Sequence, residues 1–122
     1  MIAFARAFSQ KTGAVIVITG AIDLIVDAEK AYLVYNGHPM MSKITGTGCM
    51  LSAMMSAFIG ANPQNITEAC VAAVCAMGVC GERAYKRLLP EEGNASYRTK
   101  LIDEVYHLSK EKLSEGAKYE MR

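Results

Sequence analysis

The sequence predicts an α/β fold: one buried strand, a β-hairpin and three following helices, together forming part of a single domain over residues 1–122. Three observations predict it. Ala14-Val15-Ile16-Val17-Ile18-Thr19 is a continuous apolar run rich in β-branched residues, as expected of a strand covered on both faces in a parallel sheet. Two more β-type runs, Ile22–Val26 and Ala31–Tyr35, flank the polar stretch Asp27-Ala28-Glu29-Lys30, which is the pattern of a hairpin. The remainder carries alanine-rich or amphipathic stretches at helical spacing.

In chain order, residues 2–11 read as the end of a helix, with Phe4, Ala5 and Phe8 on one face and Gly13 as its C-terminal cap. A chain that starts inside a helix suggests a truncated polypeptide. The apolar strand follows and stops at Gly20, then the hairpin. Asn36-Gly37-His38-Pro39 makes a turn into a short polar loop. A helix opens at Thr45-Gly46-Thr47-Gly48 and runs to about Gly60. It carries almost no charge, so it should be buried on most sides. A second helix is expected from Ile66 to Leu88, small and apolar first and charged at its end. A third is expected from Ser96 to Leu113, with Glu115–Arg122 as a frayed tail.

Hydrophobic residues make up 52% of the chain and charged ones 20%, which excludes a disordered segment. A net charge of +1 supplies no field to attract nucleic acid or an anionic membrane. No apolar run reaches the ~18 residues of a membrane span, and the N-terminus lacks a signal-peptide layout. The chain therefore reads as soluble and cytoplasmic. Cys49, Cys70, Cys75 and Cys80 form no CxxC pair, so reduced thiols are expected and a zinc site is not.

Chemistry concentrates in Lys43-Ile44-Thr45-Gly46-Thr47-Gly48-Cys49. Two glycines two apart let backbone approach a ligand without a Cβ between. The helix that follows offers unpaired N–H groups and the positive end of its dipole, an anion hole for a phosphoryl group. Thr45 and Thr47 add hydroxyl donors, and Cys49 falls in the first helical turn, a position that favours a thiolate. The motif is not a Walker loop, because Gly-x-x-x-x-Gly-Lys is absent. Thr19, at the carboxyl end of the apolar strand, is placed to face the same crevice. By contrast His38, Lys43, Asp23 and Asp27 read as turn or solvated residues, and Glu82 and Arg83 as surface or interface contacts.

Ile18-Thr19-Gly20, Asp23 to Asp27, Asn36-Gly37-His38-Pro39 and Thr45-Gly46-Thr47-Gly48-Cys49 together resemble the C-terminal half of hydroxyethylthiazole kinase, an enzyme of the ribokinase-like fold. The similarity runs from about Phe4 to Leu113. It implies ATP-dependent phosphorylation of the hydroxyl of 4-methyl-5-(2-hydroxyethyl)thiazole in thiamine salvage, with ATP and Mg²⁺ as cofactors and a homotrimer with sites between subunits. Carried over by position, Thr19 matches a threonine that contacts ATP and Gly46 a glycine that contacts the thiazole. Thr47, Gly48 and Cys49 match the catalytic anion hole. Cys49 stands where most ribokinase-like enzymes place an aspartate base, and Ala28 stands where the hairpin usually has glycine. The family enzyme is about twice as long, and its other half carries the acidic residues associated with Mg²⁺. No metal ligand is therefore assigned in this chain, and the chain alone is expected to be inactive. Two alternatives accompany this reading: another ribokinase-like kinase, such as a hydroxymethylpyrimidine kinase, against which Cys49 argues, and a non-catalytic nucleotide-binding remnant.

Overall fold

The structure, a computed structural model, describes residues 1–122. Helix α1 spans Ile2–Thr12 and ends where Gly13 takes φ 75°, the left-handed cap that its missing Cβ permits. Strands β1 (Ile16–Ile18), β2 (Asp23–Val26) and β3 (Ala31–Val34) follow, then a 3-10 turn over Pro39–Lys43. Helices α2 (Thr47–Ala61), α3 (Ile66–Lys86), α4 (Asn94–Tyr106) and α5 (Lys110–Gly116) precede a last strand, β4 (Tyr119–Met121). The sheet order is β1-β2-β3-β4, antiparallel throughout.

Strand alternation divides the interior in two. Ile16, Ile18, Leu24, Val26, Ala31 and Leu33 gather with Ala5 of α1 on one face. Val17, Ile25, Tyr32 and Val34 face α3 and the larger core on the other. Helix α3 is the central post. Most of its residues from Ala69 to Gly81 are buried, and α2, α4 and α5 all pack on it. Its glycines allow close approach: a Cβ on Gly78 would stand 2.5 Å from Cβ of Asn36, and one on Gly81 2.3 Å from Sδ of Met41.

Several expectations need correction. The apolar run 14–19 is not a central strand buried on both sides. β1 is a half-buried edge strand, antiparallel to β2. The link Gly20-Ala21-Ile22 is far too short for the crossover that parallel pairing requires, and Asp23 Oδ1 tightens it by accepting from the Gly20 N–H at 2.9 Å. On α1, Ala5 and Ser9 are buried, while Phe4 and Phe8 are 76% and 51% exposed. The uncharged α2 fully buries Leu51 alone; it packs mainly on α3 and leaves its other side open. The loop after Pro39 is helical. The helix expected over 96–113 breaks at His107–Ser109, where Ser109 Oγ caps α5 by accepting from Lys112 N at 3.2 Å. The tail is not frayed, since Tyr119–Met121 pairs with β3. Ala28 costs the hairpin nothing. Asp27 Oδ1 accepts from the N–H groups of Glu29 and Lys30 at 2.8 and 2.6 Å, and no residue other than glycine has positive φ.

Candidate functional site

A cavity of about 560 Å³ opens where β1 ends, between Thr19-Gly20-Ala21, the segment after β3 and the start of α2. Thr19, Thr47 and Gly48 all line it, so the strand end and the glycine motif meet across one space. Gly46 is the N-cap of α2, at φ 99°, and no side chain caps that helix. The amides of Thr47, Gly48 and Cys49 therefore have no intrahelical acceptor. A Cβ at Gly46 or Gly48 would meet nothing within 4 Å. The two glycines leave room for a ligand instead of making room for protein. An uncapped, unobstructed helix start beside a cavity is an anion site in charge and shape. Cys49 lies in the same first turn, but it is exposed and is not among the lining residues.

Four residues read as structural from the sequence have more to do here. Asp23 lines the cavity, and burial pushes its carboxyl above the usual carboxylate value, with the Gly20 N–H pulling the other way. His38 also lines it. Its ring stacks on Tyr85 at 3.6 Å, and its Nδ1 accepts from Met40 N at 3.0 Å, capping the 3-10 turn that presents Met41 and Ser42 to the cavity. Asn36 anchors the neighbouring turn. Its Nδ2 donates to Glu82 Oε2 at 2.7 Å and to the Gly116 carbonyl at 2.8 Å, while its Oδ1 accepts from Lys118 N at 2.7 Å. Burial pulls the Glu82 carboxyl up, but hydrogen bonds from Lys118 and Asn36 outweigh it and hold the group below its ordinary value. The signals for this network are a polar residue closing a β-run at Asn36 and glycines inside an alanine-rich helix at Gly78 and Gly81.

The other candidates lie elsewhere. Lys43 is exposed, and its carbonyl accepts from Asn94 Nδ2 at 3.3 Å. Asp27 ties the hairpin to the start of α3 through Thr67 Oγ1, 2.7 Å from its Oδ2. Arg83 spans α3 and α4, bonding Glu104 at 2.8 Å. No three His, Cys, Asp or Glu side chains come together as a metal-binding group. No helix is long and apolar enough to cross a membrane.

Residues 1–111 match the sequence model of the hydroxyethylthiazole kinase family. The chain is 61% identical over 120 residues to a hydroxyethylthiazole kinase of Clostridium acetobutylicum, covering 98% of this chain and 44% of that one. It is 40% identical over 115 residues to one of Methanocella arvoryzae, covering 94% and 42%. A solved structure of a hydroxyethylthiazole kinase protein from Pyrococcus horikoshii OT3 superposes with a TM-score of 0.85 at 27% identity, over 99% of this chain and 46% of that one. The chain thus spans a little under half the length of the relatives it matches.

Proposed function

The chain belongs to the hydroxyethylthiazole kinase family, and from that membership we propose that it supplies the phosphate-binding side of a site that phosphorylates the hydroxyl of 4-methyl-5-(2-hydroxyethyl)thiazole from ATP. One observation carries the reading: the uncapped start of α2, with Thr47 and Gly48 on the cavity and Thr19 across it. In this reading the amides of Thr47, Gly48 and Cys49 take up the charge that develops on the γ-phosphoryl oxygens. Thr19 contacts the nucleotide, and Gly46 leaves space for the thiazole. The alcohol oxygen attacks phosphorus, the bond to the β-phosphate oxygen breaks and ADP departs. Cys49, which does not line the cavity, would take part in moving the alcohol proton only if its side chain turned toward it. Transfer of this kind rests mainly on positioning and charge stabilisation, so a weak base there suffices. Mg²⁺ belongs to the reaction as the partner of ATP. No step is assigned to it. A homotrimer with shared sites is part of the same proposal.

The test replaces the matched 120 residues of the Clostridium acetobutylicum relative with this chain and follows ADP release with thiazole alcohol, ATP and Mg²⁺. Turnover that depends on the alcohol is expected. Gly48→Ala should lower kcat by roughly 100-fold or more, because its Cβ enters the open space before the amides and keeps the phosphoryl group off them, a loss of the order of one oxyanion interaction. Cys49→Ser should lower it by only about tenfold, below the usual range of strong general-base effects. A folded chimera that prefers a pyrimidine alcohol, or transfers no phosphate, sinks the reading. The 122-residue chain alone is expected to show negligible turnover.

A further inference from the structure

One wall of the cavity rests on a glycine. Met41 lines the cavity with Leu51, Val74 and Met77, which give an apolar patch to a space also bordered by Thr19, Thr47 and Gly48. The Met41 side chain lies across Gly81 of α3. A Cβ added at Gly81 would stand 2.3 Å from Met41 Sδ, 2.9 Å from its Cγ and 3.1 Å from its Cε. All three are closer than the ~3.5–4.0 Å at which non-bonded carbon atoms rest, and they are the three atoms nearest to that Cβ. Met41 thus fills the space that a side chain at Gly81 would take.

The backbone on both sides is tied. Gly81 is buried, and its carbonyl accepts from the Tyr97 hydroxyl at 2.9 Å, which joins that turn of α3 to α4. The turn that carries Met41 is held through His38. The Met41 N–H donates to the His38 carbonyl at 3.0 Å, the Met40 N–H donates to His38 Nδ1 at 3.0 Å, and the His38 ring stacks on Tyr85, one helical turn beyond Gly81. What stays free to swing is the unbranched thioether, and it already borders the cavity. Gly78, one turn earlier, is the contrast. A Cβ there meets Asn36 Cβ at 2.5 Å and the Asn36 carbonyl carbon at 2.8 Å, atoms that have no such freedom.

We propose that Gly81 sets the depth of the cavity through Met41, and that this pair decides how large an uncharged ring fits beside the phosphate-binding start of α2. Met41 meets the ring. Gly81 touches no ligand and is a positioning residue. An apolar patch next to free amides suits a ligand whose ring and phosphate are parts of one reacting assembly. Both substrates of the kinase reading carry such a ring, the nucleotide base and the thiazole. The ligand half of the inference rests on that reading, and the seating of Met41 on Gly81 does not.

Two measurements separate the halves. In the 122-residue chain, methyl NMR follows Met41 Cε, its resonance identified by its loss in Met41→Leu. Gly81→Ala should shift that resonance and bring it into contact with cavity side chains such as Leu51, while stability in urea falls far less than for Gly78→Ala. In the chimera with the Clostridium acetobutylicum relative, Gly81→Ala should raise KM by about tenfold or more, the order that one methylene makes in an apolar pocket. kcat should stay nearly unchanged, and adding Met41→Ala should restore KM. The substrate whose KM rises more, ATP or the thiazole alcohol, is the one whose ring lies on Met41. Gly60→Ala, near the far end of α2 with nothing within 4 Å of its Cβ, should change neither. An unmoved Met41 methyl, a KM rise that Met41→Ala does not relieve, or no rise for either substrate overturns the proposal. Should Gly81→Ala fail to fold, Met41→Phe adds the bulk directly, and an unchanged KM for both substrates then has the same force. A chimera that transfers no phosphate removes the kinase reading. In it the Met41 methyl must still shift on addition of ATP or the thiazole alcohol, and a methyl silent to both overturns the ligand half.

Discussion

Gly46, Gly48 and Gly78 show how the same residue type carries three different demands. At Gly46 the backbone is left-handed at φ 99°, so Ala there should cost about 1–2 kcal/mol through conformation alone. Gly48 has ordinary helical geometry and open space around it. Ala at that position should be neutral or stabilising by up to ~1 kcal/mol, even while it obstructs phosphate. Gly78→Ala forces a Cβ against Asn36 and should cost about 3 kcal/mol or more. Urea unfolding of the three variants separates the cases, and a destabilised Gly48→Ala would contradict the open cradle. Thiol reactivity is a second residue-scale readout. Cys49 is exposed, while Cys70, Cys75 and Cys80 are buried, and burial raises Cys75 and Cys80 to about 11. A chromogenic disulfide reagent should titrate one thiol in the native protein and the rest only after unfolding. Rapid native reaction of a second thiol would mean α3 is not the closed post described.

Among the elements, α3 and α4 are joined by a carboxylate. Glu104 has a side chain only 5% exposed and accepts from Arg83 Nε at 2.8 Å and Arg87 at 2.5 Å. Burial pulls its pKa up, but the two guanidinium partners outweigh that, and the net shift is downward. A group whose folded pKa lies below its unfolded one stabilises the fold fully above the unfolded value, near 4.3, and the benefit drains away as pH falls through the folded value. Glu104→Gln should therefore cost about 2 kcal/mol at neutral pH, and the gap to the parent should shrink below about pH 4. A pH-independent gap would show that shape, not charge, joins the two helices. Such joins also mark the limit of what the sequence carries. The hairpin, the long α3 and the glycine-opened α2 were legible because each rests on local periodicity or turn chemistry. The pairing of Tyr119–Met121 was not, because a strand of three mostly exposed residues has no pattern of its own and exists by its partner. The exposure of α2 misled for the opposite reason: its composition reads as buried, and in this chain the side turned away from α3 is open to solvent.

At the scale of the whole molecule, the site follows the same division. Thr19, Thr47 and Gly48 were legible because a strand end and a glycine-rich helix start are local signals, and the fold brings them to one cavity. His38, Asp23 and Asn36 were not, because their value depends on neighbours more than 30 residues away or on burial, as with Asn36 and Glu82. An open, half-lined cavity predicts how the chain behaves alone. Nucleotide titrated into it should bind weakly, and with Thr47→Val, which removes one hydroxyl donor, more weakly still. Calorimetry that finds tight binding in the isolated chain would mean that one wall is enough.

The bonded carboxamide of Asn36 has a bearing on chemical ageing. In a loose chain, asparagine followed by glycine cyclises to a succinimide and opens to aspartate or isoaspartate, because nothing hinders the next amide nitrogen. Here that side chain is pinned at both ends, so the Asn36-Gly37 link should survive prolonged storage in the folded protein and convert quickly once it is denatured. Mass spectrometry of aged samples then becomes a clock for how often the Gly78 side of α3 lets go of the turn.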